Sequence, residues 1–248
     1  MNSITSFIVG LDAILFLVCG VRIYQSFLKS KDKSVGYFAK FFILSGIGFI
    51  IMATAERITD QLFFVKCLII TGLFLLLTGM AYLSKLIISL SISKFENLAF
   101  WMMMTCNIIT VIAMVKFYLL ASTRQPFFDA ESGSLVLNFP SIVTLTFLVL
   151  IILIMIIPGI FFVVNTFKSQ DKGVKAKGTL ISLGLVFFAI GFLSCTMSRQ
   201  VFSMQVSHVF LALAFLPLLG GVFYVSEKKI PQINKINKET VIHPNINW

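Results

Sequence analysis

Polar residues in this chain are confined to short interruptions between long apolar runs. Seven stretches, near residues 4–27, 35–55, 62–90, 97–120, 141–166, 174–197 and 206–226, are each apolar over about 20 residues or more. That is the length a helix needs to cross a hydrocarbon layer about 30 Å thick. The runs do not alternate in polarity as barrel strands would. Each is therefore expected to be a helix that pairs its own backbone groups within the bilayer. Composition agrees: 58% of residues are hydrophobic, 12% are charged and the mean hydropathy is +0.99, values that a soluble surface does not accommodate.

The polar interruptions repeat. Lys29-Ser30-Lys31-Asp32-Lys33-Ser34-Val35 returns as Lys168-Ser169-Gln170-Asp171-Lys172-Gly173-Val174, and Ile47-Gly48-Phe49 returns as Ile190-Gly191-Phe192. Leu77, Gly79, Tyr82 and Ser84 match Leu219, Gly221, Tyr224 and Ser226 at an offset of 142. The expected plan is an all-α polytopic membrane protein with a parallel 3+1+3 repeat. Residues 1–92 form the first triplet, 93–140 a linker helix and outer loop, 141–228 the second triplet, and 229–248 a disordered cytoplasmic tail with no output domain after it. An odd triplet keeps its orientation on duplication only if one extra crossing intervenes. The fourth span supplies it.

Charge orients the chain. Alternate loops and the tail carry 15 of the 20 Lys and Arg residues, while the ten acids divide evenly. The positive-inside rule predicts N-terminus out and C-terminus in. Met1–Ser6 is uncharged and Arg22 follows the first apolar run, so a retained helix is expected there rather than a cleaved signal. The formal charge of +10 is assigned to orientation and anionic lipid heads, and nucleic acid is not expected as a partner. The expected location is multi-pass in the cell membrane.

Ionisable groups inside spans are costly and tend to face a bundle interior, a partner or water. Asp12, about two turns into the first span, is the clearest case. Lys66, Arg199 and Lys116 are its candidate partners, against a structural ion pair or a carboxyl group wetted from outside. At the 142 offset Arg57 matches Arg199 and Lys66 matches His208. With Glu56, Asp60 and Asp12 these suggest a polar vestibule, so Asp12, Glu56, Arg57, Lys66, Arg199 and His208 are the candidate ligand-binding residues. Snorkelling to the interface is the competing reading, and the favoured one for Lys116.

Pro158 and Pro217 are candidate hinges or static kinks. The small residues Gly184, Gly191, Ser194, Cys195 and Ser198 form a packing stripe. The loop 121–140, with Arg124, Pro126, Asp129, Glu131 and Gly133, reads as a solvated connector or a lid without regular structure. Cys19, Cys67, Cys106 and Cys195 fall within spans, and a Cys67–Cys195 pair is conceivable in an oxidising compartment. Two histidines exclude histidine-rich metal clusters and bis-histidine haem on count, and no hydrolase, zincin or nucleotide-binding motif occurs. Neither enzyme chemistry nor a cofactor or metal is expected.

The outside N-terminus, the loop bearing Gly133 and Pro140, and the basic inner loop leading into Lys177-Gly178-x-Leu180-x-x-x-Gly184 resemble the seven-helix sensor region of microbial histidine kinases. The resemblance covers the membrane portion only and departs where the kinase would follow. It implies recognition of a small ligand or membrane state, relayed to a separate cytoplasmic signalling protein. Sugar exporters of 3+1+3 plan are similar in architecture, but their Pro-Gln signature is missing. G-protein-coupled receptors share the topology without their Asp-Arg-Tyr and Asn-Pro-x-x-Tyr motifs. A small-solute transporter and a scaffold subunit are the alternatives to a sensor.

Overall fold

A computed structural model describes residues 4–58, 61–91, 93–121, 126–128, 135–150, 152, 156–168, 172–197 and 201–223. The protein is mostly helical: α1 (Ile4–Ser30), α2 (Lys33–Ala55), α3 (Leu62–Ser91), α4 (Glu96–Met114), α5 (Ser141–Leu150), α6 (Ile157–Lys168), α7 (Lys172–Met197) and α8 (Val201–Phe223). Four segments, Phe7–Ser30, Lys33–Ala55, Leu62–Ser89 and Ser93–Leu120, are long and apolar enough to cross a membrane, and the shorter apolar helices Gly178–Ser194 and Val206–Gly221 join them. Leu11, Ile14, Val18, Phe63, Trp101 and Leu216 are exposed, an apolar exterior suited to lipid. The chain is a membrane-embedded helical protein.

Local chemistry explains the element boundaries. After α1, Lys31 adopts φ 54° and its N–H bonds to the carbonyl of Phe27 at 2.8 Å, a left-handed helix stop. Asp32 then caps α2 by accepting from the Ser34 N–H at 2.9 Å. The repeated polar motif thus works, in its first copy, as a stop followed by a start; Asp171, its counterpart, lies outside the described residues. α4 continues into a wider π turn over Val115–Leu120. The run 141–166, expected as one helix, is described as α5 and α6. Pro158 sits in the first turn of α6, where its missing N–H is tolerated.

The helices pack in chain order and then close on themselves. α1 lies against α2 and α8, α2 against α3, α3 against α4 and α6, and α7 against α5, α6 and α8. First and last helices are therefore neighbours. One core joins α1, α2, α3, α7 and α8, with Met103 of α4, and holds Phe16, whose ring meets those of Phe41, Phe42, Phe49, Phe188 and Phe215 at centroid distances of 4.2–6.5 Å. A second core joins α3, α4 and α5 through Ile69, Leu73, Met114, Tyr118, Val143 and Phe147.

Among the described residues of the loop 121–140, regular structure and burial are both present. Strands β1 (Phe127–Phe128) and β2 (Leu135–Val136) pair antiparallel, Phe127 opposite Val136. Leu135 and Leu137 belong to the second core, and the Tyr118 hydroxyl donates to the Leu137 carbonyl. The turn formers that dominate the loop's composition mask a short apolar run, Leu135-Val136-Leu137, which is better buried than wet.

Glycines set the closest helix approaches. A methyl group placed on Gly48 in α2 would lie 2.8 Å from the Gly72 carbonyl oxygen and 3.0 Å from Leu76 in α3. One on Gly191 in α7 would meet the Ser207 carbonyl and Leu211 in α8, each at 2.9 Å. The contact is of the same kind, but Leu218, the residue at the repeat position of Leu76, meets Gly184 instead. The α7–α8 pair thus sits about two helical turns out of the register that the repeat alignment assigns it.

Because the Gly48 contact is backbone on backbone, Gly48→Ala should lower stability in detergent by about 1–3 kcal/mol. Gly10→Ala, with nothing within 4 Å of the added carbon, should lose none. Thermal denaturation of the two variants checks the contrast.

Candidate functional site

Near the end of the bundle where α1 begins and α2 ends lies a cavity of about 40 Å³. A buried water needs roughly 10–15 Å³ on this measure, so the space holds two or three waters or one very small solute. Its walls come from both ends of the chain: Val9 of α1, Phe49 and Met52 of α2, Ile69 and Leu73 of α3, Phe192 of α7 and His208 of α8. Leu135, Leu137 and Phe139 of the loop before α5 complete it. Nearly all of this lining is hydrocarbon. The polar side chains among the lining residues are Glu56 and His208.

His208 does not stand alone. Its Nδ1 lies 2.8 Å from Asp12 Oδ2, with Asp12 fully buried and His208 only 3% exposed. The Nδ1–H donates to the carboxylate, and this fixes the ring so that Nε2 points away from Asp12. Phe49 packs edge-on to the imidazole at 6.1 Å between centroids and holds it from the side. Among the described residues, His208 Nε2, Asp12 Oδ1 and Glu56 Oε2 are buried without a hydrogen-bond partner. Such atoms cost roughly 1–3 kcal/mol each unless water or a ligand satisfies them.

The structure thus corrects the expected pairing of Asp12. Its partner is neither Lys66 nor Lys116 but His208, and its carboxyl group is not wetted from outside. The physical reason is ring closure: α8 returns to lie beside α1, bringing together residues 196 apart. Lys116 is exposed and lies over the Phe117 ring at 5.9 Å. Lys66 is buried, one turn before the cavity residue Ile69 on α3, and is not one of the lining residues. Glu56 follows the last turn of α2 and is buried, whereas Arg57 is exposed. Arg199 and Asp60 lie outside the described residues. Pro217 lies inside α8, about two and a half turns beyond His208. Cys67 carries a free thiol, and the Cys195 side chain is outside the described residues.

No known protein family, curated protein or solved structure matches the chain.

The site's chemistry must therefore be read from its atoms. With the proton on Nδ1, the three unpartnered atoms are all acceptors. Among the described residues, no group of three His, Cys, Asp or Glu side chains comes together as a metal ligand set would. What the cavity offers is proton acceptors in a dry wall. The apolar walls were invisible as a site in the sequence, because Phe49, Leu73, Leu135 and Phe192 resemble any other residues of a membrane helix; only Asp12 was anomalous in its run.

Burial raises the Glu56 carboxyl pKa from 4.5 to about 7. A raised acid binds its proton more tightly folded than unfolded, so stability is highest at low pH and declines as pH rises from about 4.5 to about 7. The loss is at most about 1.4 kcal/mol per pH unit across that window. Glu56→Gln should flatten the dependence and be the more stable form above pH 7, read as melting temperature against pH in detergent.

Proposed function

We propose that this protein is a seven-helix membrane sensor, receptor-like and without a catalytic step, that takes a very small ligand in its outer cavity. In this reading α5 and α6 together make the fifth crossing, the N-terminus and the cavity face outside, and the basic loops and tail face inside. Lysine-rich inner loops and the length of the apolar runs support that topology.

One observation carries the functional reading: a single cavity is walled by helices from both ends of the chain and covered by the segment Leu135–Phe139. A ligand there touches α1, α2, α7 and α8 together, and its binding energy bears on how the two ends of the bundle sit against each other. A ligand shifts a conformational equilibrium only by its differential affinity for the two states, and a site at a junction of elements is where such a difference arises. The aromatic cluster around Phe16 lies directly below and joins the same four helices, so a shift at the cavity reaches the middle of the bundle. The output passes to a separate cytoplasmic signalling protein docking on the inner loops.

A small-solute transporter is the second reading, favoured by the buried Asp12–His208 pair, since ionisable groups within spans often mark solute or proton paths. The 3+1+3 repeat belongs to that reading as much as to the sensor. The recurring polar motifs of the sequence carry the case for common ancestry of the halves, whereas the α7–α8 glycine contacts lie about two turns out of the register it assigns.

Reconstitution separates the two. A sensor should retain a cytoplasmic protein on mild-detergent purification, lose it when Lys29, Lys31 and Lys33 are replaced by Gln, and pass no solute or proton in proteoliposomes. Flux that disappears in Asp12→Asn contradicts the sensor reading.

A further inference from the structure

We propose that the cavity is a proton-binding site, in which one exchangeable proton is shared through cavity water between Glu56 Oε2 and His208 Nε2 while Asp12 holds the imidazole in place. The inference names the ligand of the sensor reading above and rests on it.

Three observations carry it. The volume admits water and little else. The two polar groups on the wall are both titratable, and each presents a buried atom that has no partner among the described residues. The third group, Asp12, occupies Nδ1 and leaves Nε2 as the imidazole nitrogen without a partner among the described residues. A carboxylate and an imidazole held in a fixed tautomer across trapped water form a proton-sharing arrangement, because the water supplies the donors that both acceptors lack.

Among the described residues, the charged and titratable groups around the cavity are few: α1 contributes Asp12, the end of α2 contributes the buried Glu56 and the exposed Arg57, α3 contributes the buried Lys66, and α8 contributes His208. The extension of α4 contributes Tyr118, whose hydroxyl is committed to Leu137, and the exposed Lys116. α7 and the Leu135–Phe139 segment contribute apolar side chains to the wall. With both carboxyl groups ionised and His208 neutral, two carboxylates lie buried among mostly apolar side chains at this end of the bundle. That state is electrostatically costly, and one proton relieves it.

The step is a proton transfer with no change in oxidation state. A proton from the outer aqueous phase enters as hydrated H⁺ and binds at Nε2 or Oε2. On Nε2 it gives an imidazolium that donates to Asp12 through Nδ1 and, by way of water, to Glu56 through Nε2. α8 is then held to α1 and α2 at once. Loss of the proton to water returns Nε2 to an acceptor facing the Glu56 carboxylate, and the link to α2 is broken. The proton therefore acts as the bond between the two ends of the ring.

Infrared difference spectra of the full chain in nanodiscs, titrated from acid to alkaline pH, test this. Wild type should show a protonated-carboxyl stretch that vanishes with a midpoint near the value of about 7 given for Glu56. The band should be missing in Glu56→Gln. Its midpoint should move by about one pH unit or more in His208→Gln, since coupled groups titrate together. Asp12→Asn, which keeps the imidazole but loosens it, provides the same reading if His208→Gln does not fold. Absence of the band in wild type, or one midpoint shared by wild type and both variants, overturns the proposal. A midpoint that moves when sodium or ammonium replaces choline also overturns it, in favour of a small cation. Loss of the shared midpoint with partner retention unchanged refutes the proton site alone. Proton flux in proteoliposomes refutes the sensor and leaves the proton site standing.

Discussion

A buried carboxyl group in a hydrocarbon-facing helix must find a partner inside the protein, and the architecture of this chain is organised around how Asp12 does so. Asp12 is fully buried on a helix that otherwise offers Ile, Val, Leu and Phe. Leaving it unpaired is costly in such surroundings. The hydrogen bond to His208 at 2.8 Å is a contact between the first and last described helices. It can form only if the bundle closes, so a local electrostatic requirement and the global ring are one constraint.

Closure also needs the helices to approach closely enough to exclude lipid between them. Gly48 against Gly72, and Gly184 and Gly191 against α8, provide that approach where a side chain would hold the backbones apart. The phenylalanines around Phe16 fill what remains and give the α1, α2, α7, α8 junction a rigid floor. The cavity lies above this floor. It persists because its walls belong to six helices and a loop segment that are each held elsewhere.

Helix positions were legible in the sequence because lipid imposes a length and a composition that periodicity cannot disguise. The starts of α2 and α3 fall within two residues of the apolar runs, and Asp12 stood out since one carboxylate interrupts an unbroken apolar segment. Its partner was not legible. Lys66 and Lys116 were natural candidates by charge, yet the deciding factor is which helices touch, and α8 brings the His208 imidazole to 2.8 Å from the Asp12 carboxylate. The burial of Leu135 and Leu137 was hidden by the Pro, Gly and acidic residues around them. Polar motifs and glycines recur along the sequence, but the register in which those glycines meet their neighbours was not legible there: Gly184, not Gly191, takes Leu218.

The most direct test of the account is a double-mutant cycle on Asp12 and His208, read as unfolding free energy in detergent. Asp12→Leu and His208→Leu should each destabilise the protein, since each strands a buried polar partner, while the double variant should recover much of the loss, with a coupling energy of about 1–3 kcal/mol. Additive losses would contradict the account, because they would mean that these two side chains do not meet and that α1 and α8 are joined by something else.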